Sequence, residues 1–439
     1  MCQGETQIVK LDLEENKRII AISDIHGCVD YLEGVLKKAQ YSKEDILIIV
    51  GDIIEKGKDS LKTIRYLMNL RRDNVNVYAT MGNVDYDRVK SFMDNSLEGN
   101  ERFLHSLQWT KNVWKRGLFL DILKELGIAL DAIREENIAD IKKRIWERYQ
   151  EELEFLWKLP TILAIGNYIF VHAGIPTDSL EKLQGTEAFN YLKIDAFMKS
   201  NVRFEKYVIV GHWPVCLYRE DIDCMNPVFD YEKHIIGIDG GCGLKRGAQL
   251  NALLIPGAKA DMHEISYVSY DDYPMVTALQ SQEPKDKTIR IHFSDCEVVL
   301  SEEKNREENN RKEYGTKEND TKENNGVNNN KEQNNGEKNS REENKGGENG
   351  AKDNEEMVSL YHINTKRNFR APHSYLYQRK GKLFCEDYSD AYLTVSEGET
   401  LSLIVKTQEG LMVKKDGMIG WYKGSYRENY KEDYKGNYM

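Results

Sequence analysis

Short apolar runs that end in a metal-ligating type of side chain recur through the first half of the chain. Five such runs are followed within two residues by Asp, His or Asn, and Gly or Ala stands close to each of these polar residues. Helical patterns lie between several of the runs, for example over 31–39 and 60–70, so the sequence predicts an α/β domain. The five segments read Ser23-Asp24-Ile25-His26-Gly27, Gly51-Asp52, Gly82-Asn83, Val171-His172-Ala173-Gly174 and Gly211-His212.

The polar residues of these segments are candidate metal ligands. In open α/β sheets the carboxyl ends of strands border the ligand-binding crevice, so we expect six side chains to meet there. Carboxylate, imidazole and amide groups suit divalent Mn, Fe, Zn or Mg. Each segment alone is also typical of a turn or a helix cap, and it is their common order that indicates one shared site. The six candidates are Asp24, His26, Asp52, Asn83, His172 and His212.

This ordered set of segments resembles the calcineurin-like metallophosphoesterases, and within them the branch of phosphoprotein phosphatases and dinucleoside tetraphosphatases. The resemblance covers roughly residues 18–256 and implies two mixed β-sheets packed face to face and flanked by helices. Pro214 indicates the branch, because many relatives carry a further His at that position. The resemblance also implies two metal ions, one held by Asp24 and His26, the other by Asn83, His172 and His212, with Asp52 bridging both.

Two cations about 3.5 to 4 Å apart lower the pKa of a shared water and stabilise both oxygens of an in-line displacement at phosphorus. The resemblance therefore implies a metal-dependent phosphoric ester hydrolase in which metal-bound hydroxide attacks phosphorus. A serine/threonine phosphoprotein phosphatase-like hydrolase acting on a phosphorylated protein is the main prediction. The alternatives are a nucleotide or dinucleoside polyphosphate hydrolase and a catalytically weak protein that binds phosphorylated partners.

The chain departs from the family pattern at two of the segments. Relatives usually read Gly-Asp-x-x-Asp-Arg-Gly, whereas this chain has Glu55 and Lys56, so Lys56 would hold phosphate without the two parallel bonds of an arginine. Relatives also read Gly-Asn-His-Glu, with the His as general acid, whereas this chain has Val84 and Asp85. A general acid contributes on the order of 10² to 10⁴ in rate. We expect Asp85 or Glu55 to replace it, or a leaving group acidic enough to depart unprotonated.

Two arginines are further candidates for binding phosphate. Arg203 lies between the two late histidines of the motif set, and Arg246 follows the glycine-rich stretch 240–243. Ordinary surface arginines are the alternative for both. With Lys56 they make up the predicted substrate-binding residues.

An abrupt change of composition divides the chain. Residues 301–356 are almost entirely polar, with Tyr314 as their one aromatic residue, and such a segment cannot bury enough apolar surface to offset its ordering entropy. We therefore predict a disordered linker that tethers two folded domains. The predicted units are a metallophosphoesterase domain over 1–300 with a helical cap at about 92–159, a C-terminal domain over 357–426, and a Tyr-rich tail over 427–439.

The C-terminal domain resembles an SH3-like β-barrel. The matching features are an acidic-Gly-acidic step at 397–399 before an alternating strand, and Gly420 before the last strand. The pattern departs from peptide-binding SH3 domains at Leu411 and Lys423, where a tryptophan and a proline would stand. The missing tryptophan argues against proline-rich ligands, so binding of a protein partner, a targeting or dimerising role and binding of another polymer stay open for this domain.

Charge, hydropathy and cysteine content exclude several classes of protein. The net charge of −11 disfavours general nucleic-acid binding. The longest apolar runs, such as 46–50, are far shorter than the roughly 20 residues that a membrane-spanning helix needs, so we expect no membrane association. The seven cysteines are scattered without CxxC spacing, which favours a reducing, cytoplasmic environment over a disulfide framework.

Overall fold

The computed structural model describes residues 4–219, 223–293, 295–302, 304 and 354–429. Within them the chain forms an α/β unit, built from eleven strands and seven α-helices, and an all-β unit that packs against it. In the described residues, no helix combines the length and the apolar character needed to cross a membrane. The helices are α1 Val29–Lys38, α2 Ser60–Asp73, α3 Asn83–Met93, α4 Leu97–Val113, α5 Leu118–Glu125, α6 Ile138–Trp157 and α7 Phe189–Leu192.

The strands of the α/β unit form two mixed sheets. One sheet has the order β11-β10-β2-β3-β4 and the other the order β1-β5-β6-β7-β9-β8, where both parallel and antiparallel neighbours occur. The strands are β1 Ile8–Lys10, β2 Ile19–Ile22, β3 Ile46–Val50, β4 Val77–Thr80, β5 Ile162–Ile165, β6 Tyr168–Val171, β7 Tyr207–Val210, β8 Val228–Asp230, β9 Ile235–Gly237, β10 Leu250–Ile255 and β11 Ser266–Tyr270.

The two sheets pack face to face, and helices cover the outer face of the first. In β2, Ile19 and Ala21 join the core between the sheets, whereas Ile20 and Ile22 join the core beneath the helices. Successive strand residues point to opposite faces, so a strand buried on both sides reads as a continuous apolar run. The predicted α/β fold of two packed mixed sheets is thereby confirmed.

A largely helical segment lies between β4 and β5. Its helices α4, α5 and α6 pack around an aromatic cluster in which the ring centroids of Phe103 and Phe119 are 4.8 Å apart and those of Phe92 and Phe119 are 5.1 Å apart. The segment contacts the loop after β3: the backbone N–H of Leu118, at the start of α5, donates to Oε1 of Glu55 at 3.0 Å.

The all-β unit contains two five-stranded sheets and a two-stranded sheet. The larger sheets have the orders β22-β21-β20-β12-β23 and β16-β15-β14-β18-β17, and the small one pairs β13 with β19. The strands are β12 Met275–Ala278, β13 Arg290–Ile291, β14 Glu297–Leu300, β15 Met357–His362, β16 Arg367–Pro372, β17 Leu376–Arg379, β18 Lys382–Cys385, β19 Tyr388–Ser389, β20 Thr400–Thr407, β21 Gly410–Lys415, β22 Met418–Tyr422 and β23 Tyr426–Asn429.

Strand pairing corrects the domain boundary predicted at residue 300. Strand β12 lies between β20 and β23, and β14 lies between β15 and β18, so residues from about 275 onward belong to the all-β unit. Strands β14 and β15 are direct antiparallel neighbours, with Leu300 opposite Leu360. The polar segment 301–356 is therefore an insertion between two paired strands. Its composition shows that it cannot form a hydrophobic core, but composition does not show which strands pair on either side of it.

Most of the predicted linker and tail lies outside the described residues. At the linker's ends, 301, 302, 304 and 354–356 are described, and Glu355 bridges to Thr407. Of the predicted tail 427–439, residues 427–429 form the end of β23. The SH3-like character of residues 357–426 stays a prediction, because the observed sheets also draw on strands that precede the insertion.

Buried polar contacts join the two units directly. The ammonium of Lys414 in β21 donates to the backbone oxygens of Gly247 and Ala248 at 2.9 and 3.1 Å, and it pairs with Asp271 at 2.8 Å. On another part of the interface, Arg290 pairs with Asp223 at 3.1 Å. The two units thus form a shared interface, which differs from the predicted layout of two domains on a tether.

Candidate metal centre

Five strands deliver the candidate ligands to one edge of the paired sheets. Asp24 and His26 follow β2, Asp52 follows β3, Asn83 follows β4, and the two late histidines, His172 and His212, follow β6 and β7. Four of these residues have left-handed backbone conformations, with φ of 52° at Asp24, 49° at His26, 51° at Asp52 and 65° at His212. Such conformations are costly for residues with a Cβ and cluster at functional sites.

Asp52 lies at the centre of the cluster. Its Oδ2 is 3.6 Å from Nε2 of His26, and its Oδ1 is 3.4 Å from Nε2 of His172. The Oδ1 of Asp24 is 3.8 Å from Nε2 of His26. One ligand-type atom each of Asp24, Asp52 and His172 lies within 4.8 Å of the others, and all three residues are buried. This spacing brings carboxylate and imidazole atoms to a common point.

Asn83 and His212 complete the second half of the cluster. The side-chain amide of Asn83, the first residue of α3, lies 3.0 Å from Nε2 of His172. In the opposite amide orientation its nitrogen also lies 2.9 Å from Nδ1 of His212. The ring centroids of His172 and His212 are 5.2 Å apart. All six predicted ligand residues are therefore brought together.

Backbone carbonyls orient two of the imidazole rings. Nδ1 of His26 lies 3.2 Å from the oxygen of Ile54, and Nδ1 of His172 lies 3.0 Å from the oxygen of Val50. When Nδ1 donates to a carbonyl, Nε2 presents its lone pair, which is the arrangement that metal-binding histidines adopt. Burial lowers the pKa of His26 to about 3, so this ring is neutral and ready to bind a cation.

His212 is oriented by a residue that the sequence analysis missed. Its Nε2 lies 3.1 Å from Oδ1 of Asp195, which turns Nδ1 toward Asn83. Burial lowers the pKa of His212 to about 4. Asp195 lies in the segment between α7 and β7 and belongs to no motif, so no local signal in the sequence identifies it.

The chemistry of this donor set fits divalent cations. Burial and the charge of Asp52 raise the pKa of Asp24, because two carboxylates that share a buried site repel each other. Burial also opposes ionisation of Asp52, yet His172, His26 and Lys56 together hold its pKa at about 2. A bound cation would offset this repulsion, and carboxylate, amide and neutral imidazole ligands suit Mn, Fe, Zn or Mg. The residues present therefore fit a metal centre.

Two glycines leave room for the ligand carboxylates. A Cβ at Gly82 would lie 2.2 Å from Oδ1 of Asp52, and a Cβ at Gly211 would lie 2.2 Å from Oδ2 of Asp24. Both distances are far inside van der Waals contact. The glycines that precede Asn83 and His212 are thus required by close approach of the backbone to the ligand side chains.

Both carboxyl groups predicted to act as general acid are held in structural bonds. Asp85 accepts backbone N–H groups of Ile53 at 3.0 Å, Ile54 at 3.2 Å and Gly82 at 3.1 Å. Glu55 accepts the N–H of Leu118 and pairs with Arg88, whose Nε is 3.4 Å from Oε2. The roles predicted for Asp85 and Glu55 in catalysis stay predictions, and their bonds tie them to the loop after β3 and to the helical segment.

Lys56 lies beside the cluster. Its Nζ is 3.1 Å from Nε2 of His26, and it lies over the ring of Trp114 at 5.5 Å from the centroid. The guanidinium of Arg88 lies over the same ring at 5.1 Å. Arg88 and Trp114 are further residues that the motif pattern missed, because Arg88 lies on α3 and Trp114 directly follows α4, whereas the motif residues follow strands.

The two predicted arginines occupy different surroundings. Arg203 is largely exposed and pairs with Glu232 at 3.3 Å. Arg246 pairs with Glu386 of the all-β unit at 2.5 Å, and its guanidinium lies 4.9 Å from the centroid of Tyr375. Among the described contacts neither arginine touches a candidate metal ligand, and their binding of phosphate stays a prediction.

Comparison with known proteins gives the following matches. Residues 17–227, a little under half of the chain, match the sequence model of the calcineurin-like phosphoesterase family. A symmetrical bis(5'-nucleosyl)-tetraphosphatase from Buchnera aphidicola subsp. Schizaphis graminum is 34% identical over 102 residues, which cover 21% of this chain and 37% of that protein. The asymmetrical bis(5'-nucleosyl)-tetraphosphatase PrpE from Oceanobacillus iheyensis is 25% identical over 261 residues, covering 54% of this chain and 89% of that protein.

A solved structure of a protein serine/threonine phosphatase from Saccharomyces cerevisiae, with similarity to human phosphatase PP5, is 12% identical. The similarity covers 62% of this chain and 85% of that one, with a TM-score of 0.37. The chain spans about a third of the length of the Buchnera relative that it matches.

The sequence match and the site agree in position. The matched residues 17–227 contain all six candidate ligands, and those ligands converge at the carboxyl ends of strands in a pair of packed mixed sheets. Over residues 17–227 the chain is thus similar in sequence to the calcineurin-like phosphoesterase family, and this stretch holds the six converging candidate ligands.

Proposed function

We propose that this chain is a phosphoric ester hydrolase that uses two divalent cations, and that its substrate is a nucleotide or dinucleoside polyphosphate. The six converging ligand residues support the metal-dependent hydrolase. The choice of substrate rests on the absence of a free general acid. Asp85 and Glu55 are both engaged in structural bonds, and the side chain of Val84 has no acidic proton.

The chain's own residues divide the work of holding ions and substrate. Asp24 and His26 would hold one cation, Asn83, His172 and His212 the other, and Asp52 both. Bound there, divalent cations supply Lewis-acid charge for the phosphoryl oxygens and lower the pKa of a coordinated water. Asp195 fixes the ring of His212 from outside the ligand set at 3.1 Å.

Among the cations of the described residues, Lys56 is the one best placed to receive a phosphoryl oxygen. Its ammonium already lies 3.1 Å from a candidate ligand nitrogen of His26. A lysine acts on phosphate as a point charge and stabilises charge that develops on the oxygens during transfer. Trp114 beneath it holds the ammonium over its ring and so restricts its position.

The absence of a free general acid limits the leaving groups that this site can release. A serine alkoxide must be protonated as it departs, whereas a nucleotide that leaves from a phosphoanhydride departs as a stable anion. A site whose nearby carboxylates are engaged elsewhere therefore favours anhydrides over alkyl esters. The names of the two tetraphosphatase relatives agree with this choice.

A serine or threonine phosphate ester, the substrate first predicted from the sequence, is the second candidate. Asp85 lies buried beside the ligand set, and burial raises its pKa to about 7, with the charge of Asp52 adding to the effect. A carboxyl group of that kind holds a proton near neutral pH. Acting on an ester would require Asp85 to give up part of its bonding to the loop after β3.

The experiment that tests the proposal compares three substrates. Metal-stripped protein, with Mn²⁺ added back, is assayed on p-nitrophenyl phosphate, a phosphoserine peptide and diadenosine tetraphosphate. We expect Mn²⁺-dependent turnover that is highest on diadenosine tetraphosphate and lowest on the phosphopeptide. Asp52→Asn should abolish turnover, whereas Asp140→Asn, an exposed acid on α6, should retain it.

Each other outcome selects a different function. Turnover that is highest on the phosphopeptide would replace the proposal with the phosphatase. Absence of turnover with all substrates and metals, together with tight binding of the phosphopeptide, would replace it with the phospho-partner binding protein.

A further inference from the structure

The loop 239–247, which follows β9, runs from the candidate metal centre to the all-β unit. Strand β9 is a parallel neighbour of β7, so the loop leaves the sheet at the edge where His212 follows β7. At its other end, the backbone N–H of Gly247 donates to the hydroxyl of Tyr273 at 2.9 Å, and Tyr273 packs in the core of the all-β unit. One short loop thus contacts both the site and the second unit.

One side of this loop packs against the segment that carries His26. The thiol of Cys242 donates to the backbone oxygen of Ile25 at 3.8 Å. A Cβ at Gly243 would lie 3.1 Å from Cβ of His26 and 3.7 Å from its backbone oxygen. The loop therefore forms part of the immediate surroundings of a candidate metal ligand.

His26 depends on such surroundings for its backbone conformation. Its φ of 49° lies in the left-handed region, which is costly for a residue with a Cβ and persists only where neighbouring groups hold it. The loop 239–247 is one of those neighbours. Displacement of the loop should therefore let the backbone of His26 relax and move its imidazole away from the other candidate ligands.

The other side of the loop is held by acidic residues of the all-β unit. Lys245 pairs with Asp387, and Arg246 pairs with Glu386 at 2.5 Å. Both acids lie in the turn between β18 and β19. The guanidinium of Arg246 also lies 4.9 Å from the ring centroid of Tyr375. Two adjacent cations of the loop thus meet two adjacent carboxylates of the second unit.

A cavity interrupts the packing of the two units beside these ion pairs. It has a volume of about 510 Å³, and its lining includes Lys56, Lys245, Arg246, Glu386 and Asp387. Apolar contacts are missing wherever a cavity separates two surfaces. The ion pairs therefore contribute much of what holds this part of the loop against the all-β unit.

We propose that Glu386 is a positioning residue of the metal centre. Through Arg246 it holds the loop 239–247 against His26, and it thereby sets the affinity for the cation that Asp24 and His26 would bind. The proposal rests on the two-cation site of the proposed function and deepens it, because it gives the all-β unit a part in building that site.

The test measures binding of Mn²⁺ to the full chain by calorimetry. Glu386→Gln and Arg246→Met each remove one partner of the same ion pair. We expect each variant to bind Mn²⁺ on the order of tenfold more weakly, as loss of a contact that orients a metal ligand does. The double variant should lose no more than either single variant, because both residues act through one contact. Additive losses would overturn the proposal. The titration contains no phosphate, so the phosphate binding predicted for Arg246 does not affect it.

Asp223→Asn is the matched control. Asp223 pairs with Arg290 across the same interface at 3.1 Å, and the described contacts of this pair do not include the loop 239–247. The control should leave Mn²⁺ affinity within twofold of the wild type, and urea unfolding shows whether it costs as much stability as Glu386→Gln. Equal loss of Mn²⁺ affinity in the two variants would assign the effect to general loosening of the interface and overturn the role of Glu386.

The position of the loop has a readout of its own. Cys242 is 1% exposed, so its thiol should react slowly with iodoacetamide in the metal-free wild type. Release of the loop in Glu386→Gln should raise the rate of labelling at Cys242 several-fold, measured by peptide mass spectrometry, whereas Asp223→Asn should leave the rate unchanged. Unchanged labelling together with unchanged Mn²⁺ affinity in Glu386→Gln would overturn the proposal.

The two proposals fail in different ways. A wild type that binds Mn²⁺ but hydrolyses none of the three substrates would overturn the proposed function, while calorimetry still decides the role of Glu386. An active wild type whose Mn²⁺ affinity is unchanged in Glu386→Gln would overturn the role of Glu386 alone. A wild type that binds no Mn²⁺ would overturn both.

Discussion

The backbone N–H of Val84 donates a 3.0 Å hydrogen bond to Oδ1 of Asp52. The carboxylate of Asp52 is thus fixed by the main chain of the residue whose side chain would be the general acid in relatives. Substitution at 84 can therefore change the acid without removing the bond, which makes Val84→His an informative variant.

We expect Val84→His to raise kcat on a phosphoserine peptide by roughly 10- to 100-fold, because a positioned acid protonates the departing alkoxide. The gain on diadenosine tetraphosphate should be small, since its leaving group departs without a proton. Val84→Asn, which offers a polar side chain without an acidic proton, is the matched control. Equal gains on both substrates, measured by steady-state kinetics, would contradict the account of the leaving group.

Gly82→Ala tests the close approach of the backbone to Asp52. A Cβ there would lie 2.1 Å from the backbone N and 2.2 Å from Oδ1 of Asp52, so the ligand must move. Overpacking of this kind costs about 1 to 3 kcal/mol of stability, and we expect Mn²⁺ affinity to fall at least tenfold.

The control for Gly82→Ala is Gly127→Ala. Gly127 has φ of +67° and no atom within 4 Å of a built Cβ, so the change strains the backbone without a collision. It should cost about 1 kcal/mol and leave Mn²⁺ affinity unchanged. Urea unfolding and calorimetric titration with Mn²⁺ measure the two quantities. Equal loss of Mn²⁺ binding in both variants would refute the steric explanation.

Lys414→Met should destabilise the interface between the two units. The Lys414 side chain is 3% exposed, and its removal leaves Asp271 and two carbonyl groups without their buried cation. Breaking a buried pair in this way costs about 3 to 5 kcal/mol. Lys382→Met is the control, because Lys382 pairs with Glu297 in an exposed position, where such pairs contribute about 0 to 1 kcal/mol. Similar urea midpoints for the two variants would show that the buried contact is not required.

The burial of Lys142 should make the free energy of unfolding depend on pH in the alkaline range. Its ammonium donates to the backbone oxygen of Asp94 and to Asn100, and burial lowers its pKa from 10.5 to about 8. Between pH 8 and 10.5 the unfolded chain therefore binds the proton that the folded chain has released. The contribution of Lys142 to the free energy of unfolding therefore rises with pH between about pH 8 and 10.5, and it is lowest below about pH 8.

Lys142→Met should remove this rise, while Lys143→Met, at an exposed neighbouring position, should keep it. Urea unfolding at several pH values between 7 and 10.5 gives the slopes. The same slope in Lys142→Met and in the wild type would assign the dependence to other groups.

The α/β unit could be read from the sequence to a large extent. The apolar runs that precede the five predicted ligand segments are observed as strands β2, β3, β4, β6 and β7. Their apolar runs are unambiguous because both faces of these strands are buried. The ligand residues could be anticipated for the same reason, since a polar residue directly after such a strand must lie at the sheet edge.

The all-β unit was harder to anticipate. Strand β12 at 275–278 pairs with strands more than a hundred residues later, and no local pattern specifies a partner at that distance. The polar insertion also led to the wrong domain boundary at residue 300, because in sequence a long polar segment looks the same whether it separates two domains or interrupts one. The contact between Asp195 and His212 could not be predicted either, because a single acidic residue in a loop forms no sequence pattern that indicates its partner.

The sequence by itself determined the alternation of buried strands and helices, the choice of six candidate ligand residues and the absence of the usual histidine at Val84. Burial pattern and residue chemistry are local properties, so they can be read along the chain. Tertiary structure alone decided that Asp85 and Glu55 are held in structural bonds, that β12 to β14 belong to the all-β unit, and that both units enclose a cavity beside Lys56. These features depend on contacts between residues distant in sequence, and such contacts exist only once the chain has packed.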